Sequence, residues 1–569
     1  MTGSERGHHR TVPSQVALLV SSKAGPAVGL YSQYLKEELQ SLFPSEVYVD
    51  STPSRSPLLH VQQDMGTRSF RPRLACPRDV YRVATVHELP ENDGQRYHEL
   101  NDFDAVVVHT PRARELLAAR TSARVVTIPY GSYDFAPLPR DEARTALALP
   151  LDKKIVLSFN LFATPGFEAD ALGAARLMGD VLFAVTSEEK HRPLFSFGVH
   201  SARLPDNVLR LGRLDEERTN LYASAADVLL LPSNRGGGVV SVSASLHRLL
   251  AAGKPIVGPE DDPSLSETEG WGGPSRYKRA DLGDLQRVLA SLLADRDAAA
   301  ALGEKAKSLA VETSWERVAK SHLQLYGDLI GDFFGVDWYD EEYYAGPNGG
   351  KEFFSGSRVE HWSYFNPAGE WTGAKTVMQA IKSVLDPREM LSVGEGRGTF
   401  LAYGADVGIS VRGIDFSKWA VEHPYSRAKG MIEWGDARDL SRFADNSFDL
   451  VFASDLMEHI YLDDLQTVIG EIQRVSRRWA FYNNGGTELG NLPPMFMKKN
   501  ELPPKALQGT AIAGHVVLQP CGWWETRLSG GQWQLRPDLV GAFRSFVDAV
   551  DPRILGNWKC VIIAEKLQR

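Results

Sequence analysis

The run MLSVGEGRGTFL (390–401) constrains the fold more than any other stretch of the chain: an apolar strand enters three alternating glycines, Gly394, Gly396 and Gly398, and leaves them as a helix. That order belongs to a parallel α/β sheet, where glycines let the backbone turn tightly and approach a bound nucleotide. Asp415 closes the next apolar run, VRGIDFS, at the place where a carboxylate accepts hydrogen bonds from ribose hydroxyls. GDARDL (435–440), SFDLVFASDLMEHI (447–460) and RWAFYNN (478–484) then follow in order. Glycine turns also occur in nicotinamide-binding sheets, but with the spacing GxGxxG, whereas the spacing here is GxGxG.

With 569 residues the chain is too long for one hydrophobic core. Strands alternate with amphipathic helices from VALLVSS (16–22) through YRVATVHELP, FDAVVVHTPRARELLAAR and ARVVTIPYG. The pattern starts again at KKIVLSFN (153–160) and runs through VLFAVTS, NVLRLGRL, ADVLLLPS and KPIVGPE. Two α/β units in tandem are expected, with a ligand cleft between them. The proline-bearing segment Ser132 to Pro150 separates the two, and a stretch dense in aromatics, glycines and acids after Ile330 sets off the glycine-turn domain. The expected domains are therefore 14–140, 150–330 and 338–569, an α/β chain of two Rossmann-like domains followed by a third.

The 63 basic and 72 acidic residues leave the chain mildly acidic, which removes the broad attraction that nucleic acid or an anionic membrane requires. No basic stripe is interleaved with aromatics, so no nucleic-acid partner is expected. The apolar run Val16–Val20 is too short for a leader or a membrane span, and no longer one occurs, although peripheral membrane association would leave no such mark. Cys76, Cys521 and Cys560 lie far apart without CxxC spacing, which suggests neither a disulfide framework nor a zinc site. A reducing, cytoplasmic setting is the expectation.

In order and content the carboxy-terminal motifs resemble the class I S-adenosylmethionine-dependent methyltransferases, in particular the methyltransferase-11 or UbiE-like branch. The resemblance implies that Gly394, Gly396 and Gly398 pack under the methionine part of S-adenosylmethionine, and that Asp415 holds its ribose. Asp436 then bonds the adenine amino group with Ala437 beside the ring, and Asp455 lines both cofactor and acceptor. The sequence departs from the family at Ser392, where an acid is usual, and at Glu395, where a small residue is usual. Both departures are expected to weaken cofactor binding.

The stretches VVVHTPRARELL, VTIPYGSYDF, RLGRLDEERTNLYASAADVLLLPS and LLAAGKPIVG, in that order, resemble GT-B glycosyltransferases of the family 4 group. This implies a nucleotide-sugar co-substrate in the cleft, bound without metal, its diphosphate on backbone amides near Gly236, Gly237 and Gly238. It also places His87 near the transferred sugar. Val240 and Arg248 replace the family's paired glutamates, and Asn160 and Pro165 its Arg and Lys, so Arg248 or Arg235 is the candidate to supply the missing donor contacts.

A sulfonium brings its own leaving group, so a methyl-transfer site chiefly aligns the acceptor. His459 is positioned to take a proton from a hydroxyl near neutral pH, or else to orient its loop. Tyr482, Asn483, Asn484 and His515 are further candidates for the acceptor pocket, and the aromatic clusters WYDEEYY and CGWWETRL for its wall or for core. The leading expectation is a bifunctional enzyme of glycan assembly acting on a saccharide or glycoconjugate. The alternative is a methyltransferase whose first half is a non-catalytic carbohydrate-recognition or scaffold module; protein, lipid or quinone acceptors remain open.

Overall fold

The computed structural model describes residues 16–22, 25–43, 45–51, 58–63, 80–90, 97–164, 167–187, 204–232, 239–271, 275–331, 334–345, 373–485, 487, 494–501, 514–556 and 558–567. The chain divides into two compact units, the first holding Val16–Gln40 and Ser45–His322, the second Leu323–Arg569.

In the first unit, β1 (Val16–Val20), β2 (Ser45–Val49), β3 (Leu58–Gln63), β4 (Arg82–Val86), β5 (Glu88–Pro90), β6 (Ala105–Val108) and β7 (Arg124–Thr127) come first. All but β5 form a six-stranded sheet in the order β2-β1-β3-β4-β6-β7, parallel throughout. A second parallel sheet uses β8 (Lys154–Ser158), β9 (Val181–Val185), β10 (Val208–Arg210), β11 (Val228–Leu230), β13 (Ile256–Pro259) and β14 (Arg276–Tyr277), in the order β10-β9-β8-β11-β13-β14. The remaining strand, β12 (Val239–Ser241), leaves its own sheet and pairs antiparallel with β5, Val240 opposite Leu89. Val240 is thereby buried in the apolar core of the first sheet, with Val86, Leu89 and Leu100.

The second unit is built on a seven-stranded sheet in the order β17-β16-β15-β18-β19-β23-β22. Its strands are β15 (Glu389–Val393), β16 (Ser410–Asp415), β17 (Ile432–Trp434), β18 (Phe448–Ser454), β19 (Ser476–Asn484), β22 (Trp533–Leu535) and β23 (Cys560–Lys566). A short hairpin, β20 (Met495–Phe496) with β21 (Val517–Leu518), stands outside it. Strands β15 to β19 run parallel, whereas β23 is antiparallel to β19 and β22 to β23. The order reverses between β15 and β18, so the crevice at their carboxyl ends is where an open α/β sheet takes its ligand. The expected α/β class, two Rossmann-like sheets followed by a third, is thus what the strands form.

One expectation is corrected. Cys521 and Cys560 are joined by a disulfide, their Cα atoms 5.3 Å apart. Linear spacing hid it, because the fold brings the start of the helix Cys521–Leu528 to the start of β23 across a separation of 39 residues. Cys76 lies outside the described residues. No helix among the described residues is long and apolar enough to cross a membrane, and none of their His, Cys, Asp and Glu side chains form a metal-holding group.

Candidate functional site

In the second unit the chain leaves β15 through a turn that only glycines fit. Gly394, Gly396 and Gly398 have φ of 73°, 62° and 93°, the left-handed region. A side chain at Gly394 would start 2.8 Å from Leu456, and one at Gly398 2.5 Å from Ala428. The amide of Gly396 donates to Asp415 Oδ2 (2.6 Å), and that of Ser417 to Asp415 Oδ1 (2.7 Å), so the carboxylate ending β16 ties the turn to the next loop. Burial raises the Asp415 carboxyl to about 6 despite these bonds.

A cavity opens over this turn, lined by Gly394, Asp415, Asp436, Ala437, Asp455 and His459 among others. Six of the eight predicted residues of this domain therefore line one cavity; Gly396 and Gly398 shape the turn beneath it. The cavity is also lined by Phe334, which the sequence did not single out, and by Tyr339, Tyr343 and Tyr344. The WYDEEYY cluster, expected as acceptor wall or core, thus lines the cavity over the glycine turn. Ser417 Oγ donates to the Tyr339 carbonyl at 2.5 Å, which fixes the aromatic segment over Asp415. Arg438 was also missed: it forms a two-pronged pair with Asp436 (2.6 to 3.0 Å) and reaches Asp464 at 3.0 Å. Asp436 must share or exchange this partner to bind an adenine amino group.

Ser392 and Glu395 explain each other. Glu395 is buried, its Oε1 accepts from the amides of Phe400 (3.0 Å) and Leu401 (3.3 Å), and its other oxygen bonds Ser392 Oγ. Burial pushes its carboxyl up to about 8, although Ser392 Oγ donates to Oε2. A carboxyl group is therefore present under the turn and caps the first turn of the following helix, reached from the glycine loop instead of from the strand.

Asp455 ends β18 in the left-handed region (φ 52°), a conformation that costs a non-glycine residue and gathers at functional sites. Its carboxylate accepts from Ser454 Oγ (3.0 Å) and Asn483 Nδ2 (3.3 Å), and burial raises it to about 6. His459 lines the cavity with Nδ1 3.0 Å from the Gly514 carbonyl, which makes Nδ1 the protonated nitrogen and leaves Nε2 as a lone-pair acceptor. Burial lowers its pKa to about 4, so the expected titration near neutral pH is moved well into acid and the imidazole is neutral.

The first unit has its own cleft between its two sheets, lined by the turn Gly25–Val28, His87, His109, Asn160, Thr164 and Ser243–Ser245 among others. His87 is among the residues that line this cleft. His109 donates from Nδ1 to the Ile128 carbonyl (3.0 Å), its Nε2 lies 3.1 Å from His87 Nδ1, and His87 Nε2 lies 3.0 Å from Gln62 Oε1. Burial first, then His109, keeps His87 well below the usual histidine range. Arg248 is not among the cleft-lining residues: it is 3 % exposed, with Nη2 on the Glu216 carbonyl (3.0 Å) and Asn220 Oδ1 (2.9 Å) and its guanidinium over Tyr133. Arg235, Gly236, Gly237 and Gly238 lie outside the described residues.

Residues 391–480 match the family model of a methyltransferase domain. No curated protein matches the chain. Among solved structures, the sucrose-phosphate synthase of Thermosynechococcus elongatus is similar at 18% identity and a TM-score of 0.42, over 56% of this chain and 99% of that one. A glycosyltransferase of Rickettsia africae is similar at 10% identity, TM-score 0.43, over 56% and 99% of the two chains. The Anabaena HepE protein in complex with UDP-glucose is similar at 12% identity, TM-score 0.38, over 54% and 97%. The chain therefore carries a methyltransferase domain in its second unit.

Proposed function

We propose that the chain is a bifunctional enzyme of glycan assembly: the second unit transfers a methyl group from S-adenosylmethionine to a saccharide or related acceptor, and the first transfers a glycosyl group from a nucleotide sugar. The observation that carries the first half is the cavity in which the glycine turn, Asp415, Asp436, Asp455 and His459 converge. The residues fit the cofactor. A side-chain-free cradle suits a close ligand, Asp415 can accept from ribose hydroxyls, and the carboxylates suit a ligand carrying positive charge.

When bound, the cofactor supplies an electrophilic methyl on a sulfonium with a good leaving group. The chain's own part is to orient and to manage a proton. Asp415 fixes the turn and the ribose, Ala437 flanks the base, and the left-handed Asp455 aims the β18 loop into the cavity. His459, locked by Gly514 with Nε2 bare, takes the proton of the acceptor. In the first unit His87 faces the cleft and serves the transferred sugar.

A second reading is favoured by β12. Val240 is held in the core of the neighbouring sheet and Arg248 is spent on Glu216 and Asn220, so the first unit is then a recognition module in which the cleft binds sugar without turnover. Calorimetric titration of the full chain with S-adenosylhomocysteine and, separately, with UDP, GDP and ADP tests both. Binding of the first and of one nucleotide, the latter lost in His87→Ala, supports two working sites. Binding of the first alone leaves the module, and binding of neither sinks the proposal.

A further inference from the structure

Behind the cavity wall of the second unit sits a group of buried polar atoms that no protein partner satisfies. Glu458 is fully buried; its Oε1 accepts from the Gly485 amide (2.5 Å), while Oε2 has no partner. His515 is 2 % exposed and neither ring nitrogen is partnered, although Nε2 lies 3.8 Å from Glu458 Oε1. Asn484, also 2 % exposed, has neither amide atom partnered, and the Tyr482 hydroxyl on the same face of β19 is likewise alone.

These groups are contiguous with the cavity. A side chain at Gly485, next to Asn484, would start 2.6 Å from both Glu458 Oε1 and His515 Cε1. The Val516 amide donates to the Glu458 carbonyl at 2.7 Å, and the His515 ring stands edge-on to His459, a cavity residue, with centroids 4.7 Å apart. Each orphaned buried donor or acceptor costs about 1–3 kcal/mol, so a cluster of them is retained at the expense of stability. A ligand that both donates and accepts would satisfy it.

We propose that Glu458, Asn484 and His515 form the acceptor subsite of methyl transfer and bind a neutral, polyhydroxylated ligand, so that the methyl group goes to a hydroxyl oxygen. The inference rests on the methyltransferase reading above and names its substrate class. Burial, reinforced by Asp455, holds the Glu458 carboxyl well above its usual range, and since Oε1 accepts from the Gly485 amide, Oε2 is the oxygen left to meet a ligand. The subsite then offers neutral donors and acceptors, matched to hydroxyls in place of a charged amine or carboxylate. As the acceptor oxygen bonds to the methyl carbon, the carbon–sulfur bond breaks with its electron pair left on sulfur, and the hydroxyl proton passes to His459 Nε2 and on to solvent.

The test uses the full chain saturated with S-adenosylhomocysteine and a panel of methyl hexopyranosides and their N-acetylamino counterparts, with binding read by ligand-observed saturation-transfer NMR. A parallel incubation with methyl-13C S-adenosylmethionine identifies the atom methylated. The expectation is binding of at least one glycoside and a 13C methyl ether as product. Asn484→Ala and Glu458→Ala each weaken that binding by about tenfold, the worth of one neutral hydrogen bond, with S-adenosylhomocysteine affinity kept within about twofold. Glu458→Gln, which retains an acceptor and a donor, loses several-fold less than Glu458→Ala. Methylation at nitrogen or carbon, no glycoside bound by a protein that does bind S-adenosylhomocysteine, or equal loss in Gln and Ala variants overturns the assignment. Should Glu458→Ala not fold, Asn484→Ala decides it. Failure to bind S-adenosylhomocysteine at all counts instead against the underlying methyltransferase reading.

Discussion

The buried groups with shifted titration around the first cleft are chiefly histidines, and those around the second cavity include four carboxylic acids. Around the first cleft, His60, His87, His109 and His322 are all buried, and burial before any other cause keeps each below its ordinary pKa, His109 and His322 at about 4. Around the second cavity, burial raises Asp415 and Asp455 to about 6 and Glu395 to about 8, with Glu458 higher still than its usual range. At neutral pH the histidines are therefore neutral and Glu395 is largely protonated, whereas Asp415 and Asp455, at about 6, are mostly ionised. A carboxylate-walled cavity gains from a cationic ligand, which restores the ionised form; a histidine-walled cleft gains nothing from a cation and leaves hydrogen-bonding to hydroxyls or phosphate oxygens.

The comparison breaks most visibly if the two units do not behave separately. Val240→Asp puts a charge into the core that joins β12 to the first sheet, and the expected loss is about 3 kcal/mol or more in the first unit alone. Hydrogen exchange read by mass spectrometry should show lost protection in β4 to β7 with S-adenosylhomocysteine affinity unchanged. Loss of that affinity would mean the units are coupled. Next in size, Asp415→Ala removes an acceptor of two amides beside the glycine turn, and should weaken S-adenosylhomocysteine by about 30- to 100-fold in calorimetry, without altering nucleotide binding by the first unit. A loss under threefold would remove Asp415 from the cofactor site.

The pH dependence separates the two interiors more finely. A histidine held at about 4 binds fewer protons folded than unfolded between about 4 and 6.5, so the first unit loses stability as pH falls through that window. A carboxyl raised to about 6 or 8 binds more protons folded than unfolded from about 4 upward, so the ligand-free second unit loses stability as pH rises until the folded pKa is passed. His459 and His515 are also depressed, which adds acid sensitivity to the second unit, but above about 6.5 they no longer contribute and the carboxyls alone set the slope. Each group inside its window contributes up to about 1.4 kcal/mol per pH unit. Hydrogen exchange at pH 5, 7 and 9 should therefore weaken the first unit at the acid end and the second at the alkaline end. Identical profiles would erase the contrast.

The two halves were not equally legible in the sequence. The glycine turn, Asp415, Asp436, Ala437, Asp455 and His459 were found because each sits at a strand end whose position the alternation of apolar runs dictates, and strand ends of one parallel sheet converge on one crevice. Phe334 and Arg438 were not, since they join the site through loop paths and side-chain reach that no periodicity encodes. The Cys521–Cys560 bond was hidden for the same reason, and β12 because three residues carry too little pattern to show which sheet they join. Arg248, which stands where the family has a glutamate, was expected to compensate in the cleft, yet the fold places its guanidinium on Glu216 and Asn220.

Ser392 and Glu395 give the smallest expected effect. By position they are defects, an acid missing from the strand and an acid intruding in the turn; in space they are one hydrogen-bonded pair in which Glu395 caps the helix after the glycines. If Glu395 is protonated at neutral pH, Glu395→Gln reproduces its hydrogen-bond pattern, with an acceptor toward Phe400 and Leu401 and a donor toward Ser392. Stability at pH 7 should then change by less than about 1 kcal/mol, a range typical of a preserved hydrogen bond. The alkaline loss of the second unit between pH 7 and 9 should shrink, because the group whose folded pKa is about 8 no longer titrates. Thermal denaturation of wild type and variant at both pH values decides it: an unchanged alkaline slope would place the titrating carboxyl elsewhere, with Glu458 the next to substitute, and a large loss at pH 7 would mean that Glu395 caps the helix as an ionised carboxylate.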